Sequence, residues 1–436
     1  MSRPAARRAL VALFATAAAC TGGTAHAQLA ETTLVPATIP DGFDRGRNVS
    51  VTERQRPDYD PLGIRLGGFM AFPRIDVGGG VTTNATLSTT DAKSAPIVYA
   101  NPAVLIRSDW SRHQLQINAS GQIRRFTNVS SRDEDSYNLA VLWRADLGSA
   151  FALTGEAQFT GQYETPFSGE ANAEFIGLSR YTRDFQSLRG QYQAGQVRAM
   201  VALDRTGFDF SDIRLPGGTV QSQRIRDRDI NRITGQLEYA FSPSVSLYSQ
   251  LVYSDINYDV LLAPGVANRD STGWRAIAGI SFDIAGFARG VFGAGYTRRD
   301  FQNPIFSDVS GLSAEGRIEY FPSELTSFTL GLRRVIEDSQ IGATNAFFDN
   351  RISLRVDHEL LVNLLLNAQA EYSKQDYIDA PLNSDVYSIS GGARYFASRT
   401  LGLNATVGYT KRGNDGVTAA SGFDEFRALI GISLRR

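Results

Sequence analysis

Cysteine is nearly missing from this chain: of 436 residues, one is cysteine, three are methionine and three are histidine. The lone Cys20 lies near the start, so no disulfide framework or thiolate metal site can be built farther on. Ala17-Ala18-Ala19 ahead of it lacks the large aliphatic residue that usually stands three positions before a lipidated cysteine. Past residue 27 the only histidines are His113 and His358, and no cofactor or metal centre is expected. An excess of one charge is lacking as well. The 44 basic and 45 acidic side chains leave a net charge of -1, which offers no footprint for a nucleic acid. Mean hydropathy is -0.19, too polar for a bundle of membrane helices. The apolar run Ala9 to Cys20, about a dozen residues, is too short to span a bilayer as a helix.

What is present begins with an export signal. Arg3, Arg7 and Arg8 precede the apolar run, and Ala25-His26-Ala27 supplies the small residues a signal peptidase reads. Residues 1–27 are therefore expected to be removed near Ala27, leaving Gln28 first and 41 basic against 45 acidic side chains. Residues 28–61 are rich in Pro, Thr, Arg and Asp without sustained periodicity. They read as a flexible periplasmic N-terminal arm, with a plug or docking segment as the alternative.

From 62 to 436 the period is two. Tyr137, Leu139, Val141, Trp143, Ala145 and Leu147 alternate with polar residues, as do Trp274, Ala276, Ala278, Ile280, Phe282 and Ile284. The stretch Val362 to Tyr372 alternates in the same way and reads as strand, not helix. Strands of roughly 12 to 15 residues exceed the ~9 to 11 needed for a tilted crossing and the ~5 to 6 of soluble sheets. Short connections at Ser111, Gly148-Ser149, Ser242-Pro243, Gly286, Pro322-Ser323 and Ser398-Arg399 alternate with longer polar ones. This pattern predicts an all-β, transmembrane, antiparallel up-and-down β-barrel of about eighteen strands, with short periplasmic turns and longer extracellular loops. Tyr239, Phe241, Tyr320, Phe321, Tyr395 and Phe396 precede short turns, while Tyr296, Phe301, Tyr372, Tyr377 and Tyr409 approach long loops. They are expected to form two interfacial belts.

Closure follows from solvation, because lipid offers no partner to a strand's N–H and C=O groups. The apolar face then meets lipid and the polar face points inward. Alternation places Arg124, Arg144, Arg198, Arg232, Arg275, Arg289, Arg317, Arg333, Arg351, Arg355, Arg394 and Arg427 inside. Asp146, Glu156, Asp204, Glu238, Asp283, Glu315, Glu319, Asp357 and Glu371 share that face. Such a lining is either an anion or acidic-polymer pathway, since Arg presents a planar fork to carboxylates, or a wall stiffened by Arg–acid pairs. An embedded hydrolase is a further possibility, but His113 and His358 fall near short turns and no nucleophile is fixed to either by spacing. Gly78-Gly79-Gly80 lacks the context of a phosphate loop and reads as curvature in the first strand.

Arg56-Pro57-Asp58-Tyr59-Asp60-Pro61-Leu62-Gly63-Ile64-Arg65-Leu66-Gly67-Gly68-Phe69 resembles the opening of the beta-barrel porin 2 family. Asn101-Pro102-Ala103-Val104 and Ser108-Asp109-Trp110-Ser111-Arg112-His113 resemble it too, and the strand pattern extends the likeness to the C-terminus. The resemblance implies a pore associated with envelope or exopolysaccharide secretion. Large alginate-exporter-like barrels point the same way. Val81-Thr82-Thr83-Asn84 keeps the family's Asn without the acids that usually precede it. The last strand ends on Arg435-Arg436, so Leu434 stands where many such proteins carry an aromatic.

The expectation is therefore a non-enzymatic, porin-like channel in a Gram-negative outer membrane, for a polar solute or polymer, with exopolysaccharide export as its specific form. A structural or adhesive barrel is the alternative. Expected partners are outer-membrane lipid and lipopolysaccharide, the assembly machinery and periplasmic polysaccharide-export components. No energy-coupling element is visible, so transport is passive or driven from the periplasm.

Overall fold

The structure, a computed structural model, describes residues 45–88, 91–164, 179–214, 218–339, 344–416 and 422–436. The expected signal segment, its expected cleavage near Ala27 and residues 28–44 of the arm lie outside the described residues. Alternating residues form eighteen barrel strands. They are β1 (Phe69–Thr82), β2 (Ala95–Ser108), β3 (Gln114–Phe126), β4 (Glu134–Leu147), β5 (Phe151–Tyr163) and β6 (Arg180–Ala194). Then come β7 (Val197–Phe210), β8 (Arg228–Ser242), β9 (Val245–Tyr258), β10 (Ser271–Ile284), β11 (Ala288–Phe301) and β12 (Val309–Ser323). The last six are β13 (Thr326–Asp338), β14 (Ala346–Leu361), β15 (Leu364–Tyr377), β16 (Leu382–Phe396), β17 (Leu401–Gly416) and β18 (Phe423–Arg435).

Each strand pairs antiparallel with its neighbours in the chain, and β18 returns to β1 from Arg427↔Thr82 to Arg435↔Arg74. The eighteen long strands thus close on themselves, as backbone satisfaction in hydrocarbon requires, and Ile64–Leu66 adds a short strand against the start of β1. Strands of 13 to 16 residues are long enough to cross at a tilt. The eight connections at one end hold two to five residues and the nine at the other hold four to seventeen.

Outward positions are apolar and open. Leu237, Leu251, Ile280, Ile352, Val407 and Ile430 are between 36% and 67% exposed, which in a soluble protein would be a costly belt. Their neighbours one residue away, such as Glu238, Gln250 and Ser281, point inward and are buried. Two differences from the sequence reading stand out. A turn at 362–363 divides the Val362 to Tyr372 stretch, with Leu360, Leu361 and Val362 all more than half exposed at the rim. Apolar residues carried the alternation across this turn and hid it. The aromatic pairs also split: Tyr320 and Tyr395 face out, whereas Phe321 and Phe396 are buried inside, because adjacent strand residues point to opposite faces.

Glycine makes room on the inner wall at two places. Gly78 on β1 and Gly431 on β18 sit opposite each other, and Tyr99 of β2 lies across both. A methyl at Gly78 would stand 2.6 Å from the Tyr99 Oη and 2.7 Å from the Gly431 Cα. In the same way Tyr248 of β9 reaches across Gly279 of β10 toward Gly293 of β11. The curvature reading of the Gly-rich first strand becomes a packing role: bare backbone lets large side chains lie flat on the wall.

Candidate functional site

The inner wall is a lattice of charge. Of the residues the sequence places inside, Arg124 meets Glu134 at 2.7 Å, Arg144 meets Asp146 at 2.8 Å and Arg198 meets Glu238 at 3.1 Å. Arg232 approaches Asp204 at 3.8 Å, Arg317 meets Glu319 at 2.7 Å and Arg333 meets Glu337 at 3.2 Å. Arg351 lies between Asp349 and Glu371, Arg355 is bidentate to Asp357, and Arg427 meets Glu425 at 2.8 Å. Each of these guanidinium groups has a carboxylate within 4 Å.

Some pairs leap over a strand. Arg275 on β10 reaches Glu315 on β12 at 3.0 Å, passing β11 where Gly293 and Gly295 leave the inner face bare. Arg228 of β8 and Arg299 of β11 both converge on Asp338 at the end of β13. The Arg228–Asp338 pair joins β8 to β13 beside a cavity lined by Arg232, Arg275, Glu315 and Arg333. Sequence reading missed Arg228, Arg299, Asp338 and Glu337. Alternation places the first two inside, but their convergence on one acid needs the register.

The short-turn end holds the described part of the N-terminal arm. Residues 45–61, read from sequence as flexible, are seated against inward side chains from β8 to β18. Asn48 donates its Nδ2 to Asp283 at 2.6 Å and accepts from the Gly286 N–H at 2.9 Å. Glu53 takes two bonds from Arg289, which is 1% exposed and also donates to Glu319. Arg56 donates to Glu359 at 2.6 Å and to the Val51 and Val362 carbonyls. Val51 is buried on Leu365 and Phe396, with Tyr59 packed alongside. Arg399 and Arg435 then hold the Pro57 and Tyr59 carbonyls.

At the long-loop end the inner face turns apolar, with Tyr181, Phe208, Phe210, Ile230, Ile256 and Tyr258 in one cluster. Arg228 lies over the Phe208, Phe210 and Tyr258 rings. Beside it the Asp209, Asp227 and Asp259 carboxylates approach within 4.8 Å, the one grouping with metal-ligand spacing among the described residues. Burial raises the Asp227 carboxyl, opposed by its bond from the Phe210 N–H and helped by the two neighbouring acids. Asn84 anchors the first loop through Ser88 and Asp424. Asp133, Glu134 and Asp135 bind the Phe126 N–H, Arg124 with Arg132, and Arg125.

The histidines lie at short-turn positions. His113 accepts from the Asp146 N–H at 3.3 Å, and His358 meets the Thr326 hydroxyl at 2.9 Å on the outer side. Midway down the barrel the wall stays open to water. Gln116, Gln122, Thr154, Glu156, Gln158 and Arg189 are partly exposed although they point inward.

The sequence matches the family model described as "Putative beta-barrel porin 2" over residues 56–436. None of the curated proteins matches the sequence. Among solved structures, OccK2 (OpdF) of Pseudomonas aeruginosa in complex with glucuronate aligns at 12% identity and TM-score 0.46, over 85% of this chain and 100% of that one. The outer membrane protein OpdK of Pseudomonas aeruginosa aligns at 12% identity and TM-score 0.42, over 84% and 99%. A ferric enterobactin receptor (PfeA) mutant from the same organism aligns at 8% and 0.42, over 85% and 81%.

Proposed function

The chain belongs to the beta-barrel porin 2 family, and from that premise we propose that it conducts a polar solute or polymer across the outer membrane, with exopolysaccharide export as the case to test first. The observation that carries the reading is the water-accessible, mixed-charge inner face midway along a closed barrel with an apolar outer face. A barrel of about this strand number is too wide for side chains alone to fill. Paired charges such as Arg144–Asp146 keep the wall polar without holding a passing solute tightly. Transport is passive or driven by a periplasmic partner that meets the short-turn end.

A second reading is favoured by two features. The seated arm, together with the Arg228–Asp338 bridge, fits a plugged barrel whose role is structural or adhesive. Single-channel recording on the reconstituted mature chain separates the two. A channel gives discrete conductance steps, and a deletion strain secretes less exopolysaccharide. Absence of conductance both in the wild type and after arm removal would refute the channel. Normal secretion by the deletion strain would refute the export form alone.

A further inference from the structure

One arginine of the predicted lining differs from the others. Arg394, on β16, has no hydrogen-bond or ion-pair partner among the described residues, whereas its counterparts on the predicted lining are matched to acids. The charged groups acting on it are Arg74, Asp76, Arg435 and Arg355. Arg74 is already bound to Asp76, and Arg355 to Asp357. The neighbourhood therefore holds positive charge in excess. Arg394 opens onto a recess lined also by Asp76, Tyr99, Asn101, Asn367 and Asn404.

The recess is rich in unused polar atoms. Asp76 spends one oxygen on Arg74, leaving Oδ1 buried and without a hydrogen bond. The Asn101 Oδ1, directly across the β1–β2 pair from Asp76, is likewise buried and unsatisfied. A carboxyl oxygen, an amide oxygen and a guanidinium thus line one recess with hydrogen-bonding capacity left over, the set that an anion carrying hydroxyl donors would use. Gly392, beside Arg394 on β16, keeps the recess open, since a methyl there would stand 3.1 Å from the Asn367 amide.

We propose that this recess binds a hydroxylated monoanion of the sugar-acid class. The carboxylate takes the Arg394 fork, and hydroxyls donate to the Asp76 and Asn101 oxygens. An ammonium is disfavoured as the donor, because Asp76 is already neutralised by Arg74 and the uncompensated charge is cationic. The proposal deepens the channel reading by naming its solute class.

Galacturonate is the probe, titrated against the folded full-length mature barrel by calorimetry in detergent and by single-channel recording in a bilayer. Wild type is expected to bind it saturably and to show blockades. Arg394→Gln weakens binding about tenfold to a hundredfold, as losing a charged hydrogen bond implies. Arg394→Lys, which keeps the charge but not the fork, falls between, and Arg205→Gln, in an exposed pair with Asp229 away from the recess, binds as wild type. Galactose and acetate, each holding half the recognised groups, bind much more weakly. Oligogalacturonate binding more tightly than the monomer supports the proposal with a polymer as the source, and equal binding supports it with the free sugar acid. Arg394→Gln binding like wild type, or acetate matching galacturonate, overturns it. Arg394-dependent binding to a barrel that passes no current sinks the channel reading alone. Current with Arg394-independent binding sinks this proposal alone.

Discussion

Glu53 is the residue through which the arm's seating can be measured. It receives two bonds from the Arg289 Nη2, at 2.8 and 2.7 Å, and the arginine is only 1% exposed. Glu53→Ala does not orphan that guanidinium, because Arg289 keeps Glu319 through Nε at 2.8 Å. The loss is then that of a charge-assisted hydrogen bond, about 1.5–3 kcal/mol, and not the ~3–5 kcal/mol of a buried charge left alone. About 2 kcal/mol raises the equilibrium for arm release roughly thirtyfold. Val51 reports on it, being 1% exposed in the seat and close in size to cysteine. In a Val51→Cys protein with Cys20 replaced, maleimide labelling should be slow, about thirtyfold faster with Glu53→Ala, and faster again when Arg56→Met removes the Glu359 contact. Labelling of the Glu53→Ala protein at the parent rate would show that these contacts do not hold the arm. Rapid labelling of the parent would show that the seat does not exist.

Two further outcomes test the wall itself. Gly78→Ala forces a methyl against the Ile430 carbonyl and the Gly431 Cα, backbone atoms that cannot swing aside, and should cost about 1–3 kcal/mol in urea unfolding. Gly235→Ala, with nothing within 4 Å of the new methyl, is the control and should unfold at the parent midpoint. Leu237→Arg places a charge at an outward position, 55% exposed and midway along β8, and should destabilise the barrel by about 2–4 kcal/mol in lipid vesicles. An unchanged midpoint there would mean that this face does not meet hydrocarbon.

The sequence by itself determined the strand pattern, its two faces and the alternation of short and long connections. These are local properties: a period of two ties each side chain to a face, and turn residues mark where the chain reverses. Arg124, Arg144 and Arg394 were therefore assignable to the inner face without coordinates. Only the tertiary structure decided which of them has a partner. Register between strands sets Arg275 against Glu315 across a glycine-bare neighbour, brings Arg228 and Arg299 to Asp338, and leaves Arg394 with none among the described residues. The arm's place depended on it even more. Residues 45–61 carry no periodic pattern, and their order comes from Asp283, Arg289 and Glu359, which lie more than 220 residues away in the chain and become neighbours only when the sheet closes.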